Sequence, residues 1–259
     1  MFGVCHLSAI PCRREPSEKS EMVTQLLFGE AFRFIDQKGQ WQQIVNAADQ
    51  YEGWVDRNQF LPVSREIYAE LMKNPAPVAG ELFQLVTDQT SGETFPIALG
   101  SSLPFYKKGV CTLGDRPYIF EGTVREFPSK PERNNIVETA LLYRNAPYLW
   151  GGKTPFGLDC SGFMQVVFKA NGVQLKRDAW QQAEAGNSCT FVEEALPGDL
   201  AFFDNEEGRI VHVGIIIGDN RIIHASGRVR IDHYDHYGIF TPERGGYTHN
   251  LRVIKQLIQ

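Results

Sequence analysis

The sequence predicts an α+β protein in which small all-β modules precede a domain of helices followed by antiparallel strands. Three observations carry this. The first half consists of short runs rich in β-branched and aromatic residues, broken by polar or glycine turns. Between 134 and 185 the apolar runs take helical spacing and end on glycine or asparagine. From 200 onward the chain returns to apolar β-branched runs joined by tight turns.

Residues 1–62 read as strands at 3–7, 9–13, 24–27, 31–36 and 41–45, closed by Gly53-Trp54-Val55. Lys38-Gly39 is a hairpin signal, and 14–21 is a polar loop. This is the pattern of a small barrel. Residues 63–79 form a linker whose helix, 65–73, is stopped by Asn74-Pro75-Ala76-Pro77, because proline bars the preceding residue from helix. Residues 80–128 return to strands at 82–87, 94–98, 105–110 and 116–124, read as a second small β module. Pro128-Ser129-Lys130-Pro131 marks the boundary with a domain spanning 129–259.

In that domain Asn134-Asn135 caps a helix running to Arg144, with Ile136, Val137, Ala140 and Leu141 on one face. A second helix follows Asp159-Cys160-Ser161-Gly162. Its apolar run holds Phe163, Met164, Val166, Val167 and Phe168, and Gly172 is its stop. A short helix falls within 177–185. Strands follow at 200–204, 210–218, 221–225, 229–233 and 251–256, with Asp219-Asn220 turning the central hairpin.

The chemistry lies where Cys160 opens its helix. Free backbone N–H groups and the helix dipole there favour a thiolate. His212 and His224 sit in the two strands of one hairpin. A thiol, an imidazole and a second polar group that fixes the imidazole match the nucleophile–base–orienter pattern. The bland alternative is a small buried cysteine and two satisfied strand histidines.

Asp159-Cys160-Ser161-Gly162-Phe163, His212-Val213-Gly214-Ile215 and Ile223-His224-Ala225 together resemble the NlpC family of papain-like cysteine peptidases. Tyr148-Leu149-Trp150-Gly151-Gly152 and the stretch 196–203 extend the resemblance over roughly 130–259. Gly53-Trp54-Val55 is similar to the bacterial SH3-like modules that accompany such enzymes. The resemblance implies Cys160 as nucleophile, His212 as base and His224 as third member; the mechanism expected from these is attack by a Cys160 thiolate with His212 charged in the resting pair. It also implies hydrolysis of the γ-D-glutamyl bond to a diamino acid in murein peptides, during peptidoglycan recycling or turnover, with a free N-terminal L-Ala on short substrates. By the same comparison Tyr51 and Glu21, or Glu30 in place of Glu21, bind that amine. Asp159 faces it, Ser161 and Trp150 line the cleft, and Arg177 and Asp178 form the site wall. Ala179 departs from the family, which often carries serine there.

Bulk properties narrow the alternatives. A net charge of -5 without a basic cluster argues against nucleic acid. No apolar run reaches membrane-spanning length. The first residues lack the pattern of a secretory signal, and 5 cysteines, an odd number, suit reduced thiols better than a disulfide framework. The expectation is a cytoplasmic monomer without a cofactor or metal. Zinc held by Cys160 and the histidines, His233-Tyr234-Asp235-His236 included, is the metal alternative, but HExxH and CxxC are missing. A wall-fragment binding protein and a papain-like amidase or acyltransferase are the other functional alternatives.

Overall fold

A computed structural model gives the fold and describes residues 1–128 and 130–258. Ser129, where the sequence reading begins its last domain, and Gln259, where that domain ends, lie outside the described residues. The chain forms two compact units. One holds Met1–Phe127 together with Trp150–Pro155, and the other holds Pro128–Leu149 with Phe156–Gln259.

In the first unit β1 (Phe2–Cys5), β2 (Ala9–Arg13), β3 (Met22–Leu27), β4 (Ala31–Lys38), β5 (Trp41–Asn46), β6 (Glu52–Asp56) and β7 (Phe60–Val63) form one antiparallel sheet, ordered β3-β2-β6-β5-β4-β1-β7. The alternation in β2 buries Ile10 and Cys12, which pack with Leu26, Phe32, Ile44 and Val55. Gly39 makes the β4–β5 turn at φ 59°. Helix α1 (Arg65–Lys73) begins where Ser64 Oγ accepts the Ile67 N–H, and Tyr68 stacks on Phe2 with ring centroids 4.3 Å apart.

The second β region has β8 (Val78–Ala79), β9 (Phe83–Asp88), β10 (Thr94–Ala98), β11 (Val110–Leu113), β12 (Arg116–Ile119) and β13 (Val124–Arg125). They make an open sheet, β10-β9-β12-β11, and a separate ribbon of β13 and β8. Its core is shared: Val4 and Phe28 of the first module pack with Val86, Ile97, Leu113 and Tyr118. The strand expected at 105–110 is irregular up to Gly109, and only Val110 of that range enters a strand, β11. Phe105 and Lys108 take φ 54° and 50°, a backbone no strand can use.

In the second unit α2 (Arg133–Leu142) starts one residue before the expected Asn134-Asn135 cap, after Glu132, which makes no side-chain cap. The anchor is Arg133, which donates to Asp199 at 2.5 Å and to the Pro197 carbonyl at 3.1 Å. Two short segments, β14 (Lys153–Thr154) in the first unit and β15 (Gly157–Leu158) in the second, precede α3 (Cys160–Lys169). All ten residues of α3 are buried. Only α4 (Ala179–Gln182) is helical in the stretch expected at 177–185.

The strands β16 (Asn187–Ser188), β17 (Leu200–Asp204), β18 (Ile210–Gly218), β19 (Arg221–Ser226), β20 (Arg228–Tyr234), β21 (Gly238–Thr241) and β22 (Gly246–Gln256) complete this unit. The long β22 pairs its first half with β21 and its second half with β17, closing the ring. Asp219 and Asn220 both lie at positive φ, the geometry of a two-residue hairpin turn, and short polar side chains tolerate it. Register then decides which side chains share a face. Gly214 pairs with His224 and Phe203 with His212, so His212, His224 and, one diagonal step on, Asp232 face the same way. That face also carries Ile216 and Ile222 of the core.

Candidate active site

Asp159 is the N-cap of α3. It takes extended backbone, and its Oδ1 accepts the Gly162 N–H at 2.7 Å. The same carboxylate is gripped by the Arg177 guanidinium, at 3.1 Å to Oδ1 and 2.6 Å to Oδ2. Arg177 also donates to Ser161 Oγ at 2.8 Å. Both partners of this fork are buried, Arg177 at 2% exposure, so the ion pair is desolvated and its geometry bidentate. Gln182 Nε2 bonds the Ser161 and Lys176 carbonyls, tying α4 to the first turn of α3. The Asp178 N–H donates to Gln181 Oε1 at 3.1 Å at the head of α4. Cys160 is therefore set on a helix terminus held from three directions.

The Cys160 thiol is reached by the backbone N–H groups of Val213 and Ser161, and Val213 follows His212 in β18. Glycine at 214 lets the strands close: a Cβ there would stand 2.9 Å from His224 Cβ. His212 Nε2 lies 2.9 Å from His224 Nδ1, and His224 Nε2 lies 3.0 Å from Asp232 Oδ2. Arg230 holds the other oxygen of Asp232, NH2 donating to Oδ1 at 2.8 Å. A carboxylate only accepts, so His224 Nε2 carries the proton toward Asp232. Its Nδ1 then accepts from His212 Nε2–H, leaving the lone pair of His212 on Nδ1. His249 of β22 stacks on His212, with centroids 4.2 Å apart, and bonds Thr248 Oγ1 at 2.8 Å.

Desolvation sets the charge state. Burial pushes the Cys160 thiol up to about 12, and the Asp159 charge adds to it; the Val213 N–H, Arg177 and the Ser161 N–H pull the other way. Burial drives His212 well below its usual range, with His224 and His249 acting in the same direction. Both directions favour a neutral thiol beside a neutral imidazole, where the sequence led to the expectation of a charged resting pair. Burial raises Asp232 as well, but hydrogen bonds from His224 and Arg230 outweigh it and leave the carboxyl below its usual range.

These directions give a signed pH prediction. A histidine with a folded pKa below its unfolded value opposes folding as pH falls, because the unfolded chain binds the proton first. On this account the fold is more stable near pH 7 than near pH 5. Burial, then the charges of His224 and Arg244, lower His249 from 6.5 to about 4, a loss on the order of 2 kcal/mol between pH 7 and pH 5. His212 adds in the same direction. Chemical denaturation at the two pH values checks this, and His249→Gln should shrink the loss. Equal stability at both would contradict it.

Of the residues singled out from sequence, Cys160, Asp159, Ser161, Arg177, Asp178, His212 and His224 lie in the second unit. Tyr51, Glu21 and Trp150 lie in the first. Glu21 accepts from Trp150 Nε1 and from Arg14 Nε, both at 2.6 Å, so each carboxylate oxygen has a partner. Glu30 is buried, accepts the Leu27 N–H at 3.0 Å and pairs with Lys153 Nζ at 3.3 Å. Gly151 is required where it stands, because at φ 76° a Cβ would meet the Met22 carbonyl oxygen at 2.3 Å. Asp232, Arg230 and His249 went unread as site residues. Tyr148 did too: burial, then the charges of Cys160 and Asp159, push its phenol up to about 12, which marks a neutral hydroxyl close to the nucleophile. Among the described residues, no group of three or more His, Cys, Asp and Glu side chains is arranged to hold a metal ion.

Comparison with known proteins supplies the family. The NlpC/P60 family pattern matches residues 145–243, and the bacterial dipeptidyl-peptidase Sh3 domain matches residues 12–60. The gamma-D-glutamyl-L-lysine dipeptidyl-peptidase of Bacillus subtilis (strain 168) is 31% identical over 218 residues, covering 78% of this chain and 71% of the relative. Dipeptidyl-peptidase 6 of Lysinibacillus sphaericus is 28% identical over 236 residues, covering 82% and 83%. The crystal structure of an NlpC/P60 family protein from Bacillus cereus shares the fold across both full chains, with a TM-score of 0.83 at 19% identity. Sequence kinship along most of its length, and a fold shared end to end, make this chain a member of the NlpC/P60 family of cysteine peptidases, preceded by a bacterial dipeptidyl-peptidase SH3 domain.

Proposed function

We propose that this peptidase hydrolyses the γ-D-glutamyl bond to a diamino acid in short murein peptides, with Cys160 as nucleophile, His212 as general base and acid, and His224 as orienter. The observation that carries the proposal is the buried chain His212–His224–Asp232, at 2.9 and 3.0 Å, with the N–H of Val213, the residue after His212, reaching the thiol of Cys160. The names of the relatives supply the bond: two are gamma-D-glutamyl-L-lysine dipeptidyl-peptidases.

Cys160 Sγ attacks the peptide carbonyl carbon as its proton passes to His212 Nδ1. Burial resists either charge alone, so the proton moves within the pair as the new bond forms. The oxyanion is met by the Cys160 N–H and by the Tyr148 hydroxyl. The C–N bond breaks as His212 returns the proton to the departing amine, leaving a thioester. Water then adds to that carbonyl with His212 as base, and the acid departs as the thiol re-forms. Asp232 acts through His224, stabilising the positive charge that His212 gains. Asp159 and Arg177 position the helix.

Three expected results test this. The wild type should convert L-Ala-γ-D-Glu-L-Lys into L-Ala-γ-D-Glu and lysine by mass spectrometry, and leave the α-linked isomer intact. Cleavage of neither peptide would remove the substrate assignment. A preference for a free N-terminal L-Ala belongs to the same proposal and is read as a lower rate on the N-acetylated peptide, a difference that Glu21→Gln and Tyr51→Phe should narrow. Separately, Asp232→Asn should lower kcat by roughly 10–100-fold with little change in KM, because the lost charge is felt only when His212 is protonated. An unchanged kcat and pH profile would take Asp232 out of the mechanism.

A further inference from the structure

The first unit contains a cavity of about 620 Å³, away from every residue assigned above. Its wall is built from the β1–β2 turn, the β9–β10 hairpin and β12. Two features separate it from an ordinary surface cleft. Tyr118 is 0% exposed and lines it, and apart from the Arg116 side chain, which acts on the phenol without reaching hydrogen-bond geometry, its hydroxyl has no partner among the described residues. His6 Nδ1, also in the wall, is buried and equally unpartnered. Buried polar atoms are rarely left so, and two on one cavity point to something that bonds them.

The groups around them have defined states. The Tyr118 ring is fixed edge-on against Phe28, with centroids 5.2 Å apart, so its hydroxyl has a set position. Burial and the Asp88 charge push that phenol up to about 12, with Arg116 opposing, so it stays a neutral donor and acceptor. Burial, then Arg116, lowers His6, which keeps its imidazole neutral. Arg116 NH1 and Asp88 Oδ2 stand 4.0 Å apart, too far for a hydrogen bond, so the guanidinium and that carboxylate oxygen retain bonding capacity toward the cavity. Glu93 adds a second carboxylate, and Phe95 an apolar wall. One cation, two carboxylates, two neutral hydrogen-bonding atoms and an apolar face complement a molecule with a carboxylate, an ammonium and an amide between them.

We infer that this cavity is a second binding site, for a short peptide with free termini. Arg116 takes the C-terminal carboxylate, Asp88 and Glu93 take the ammonium, and Tyr118 and His6 bond the peptide groups. The volume lies within the range of small-molecule sites, roughly 300–1,000 Å³, and suits a peptide of about three residues. The site is independent of cleavage at Cys160.

Trialanine is the probe, since it is zwitterionic and has no γ-glutamyl bond. The histidine ring resonances of the full chain are followed by NMR, with His6→Gln identifying the His6 signal among the 6 histidines. The expected result is a saturable shift of His6, with N-acetyl-trialanine and trialaninamide each binding at least about tenfold more weakly. Arg116→Gln should weaken trialanine by about tenfold, and Tyr118→Phe by a smaller factor. No His6 shift up to about 10 mM trialanine would overturn the inference, as waters alone then satisfy the two atoms. Blocked peptides that bind the wild type as tightly as trialanine would overturn it as well, with no variant needed.

Discussion

Replacing Cys160 by alanine is expected to abolish turnover and leave the fold standing. The substitution removes the atom that attacks the substrate carbon and carries the acyl group in the proposed sequence. The rate loss should be on the order of 10⁴-fold or more, the range seen when an attacking side chain is deleted from an enzyme that otherwise keeps its binding groups. The structural penalty is small. Alanine has the better helix propensity, and the vacated space is one sulfur atom, about 1 kcal/mol. The Asp159 cap, the Arg177 fork and the Gln182 bonds to the first turn do not involve the sulfur. The check is kcat/KM alongside a denaturation curve. A variant that keeps its rate would remove Cys160 as nucleophile; one that loses rate and fold together would leave the cause structural.

The second large effect is on stability. Arg177→Met should destabilise the protein by about 3–5 kcal/mol, because it strands the buried Asp159 carboxylate without its cation. It should also slow catalysis, since an unpaired negative charge beside Cys160 pushes the thiol further up. Adding Asp159→Asn should restore part of the stability: asparagine caps the helix through its amide oxygen and buries no charge. Urea denaturation of the two single variants and the double variant measures this cycle. Additive losses would mean that the pair does not act as a unit.

Much of the site was legible because it is local. Cys160 before an apolar run ending at Gly172 gave the helix and its start, while the Asp159 cap came only with the structure. Asp219-Asn220 gave the hairpin that carries both histidines, since short polar residues tolerate the positive φ that a two-residue turn requires. Asp232 was within reach of the same logic. The tight turn at Gly227 pairs His224 with Arg230 and leaves Asp232 one diagonal step away on the same face. His249 was not legible. It reaches His212 only because β22 closes the ring across the full length of the domain. The state of Cys160 was also out of reach. The helix terminus is written in the sequence, but the burial that outweighs it comes from packing, and it turns the thiol pKa upward. The misread strand at 105–110 shows the converse: aromatic residues favoured extended chain, while left-handed backbone at Phe105 and Lys108 broke it before Val110.

Trapping the acyl-enzyme tests the central claim most directly. Wild-type protein mixed with L-Ala-γ-D-Glu-L-Lys is quenched in acid within the first turnovers, digested and mapped by mass spectrometry. The account predicts an L-Ala-γ-D-Glu acyl group on the peptide that contains Cys160, released by hydroxylamine. It predicts none on Cys5, Cys12, Cys111 or Cys189. Steady hydrolysis with an unmodified Cys160 at every quench time, together with full activity in Cys160→Ala, would contradict it.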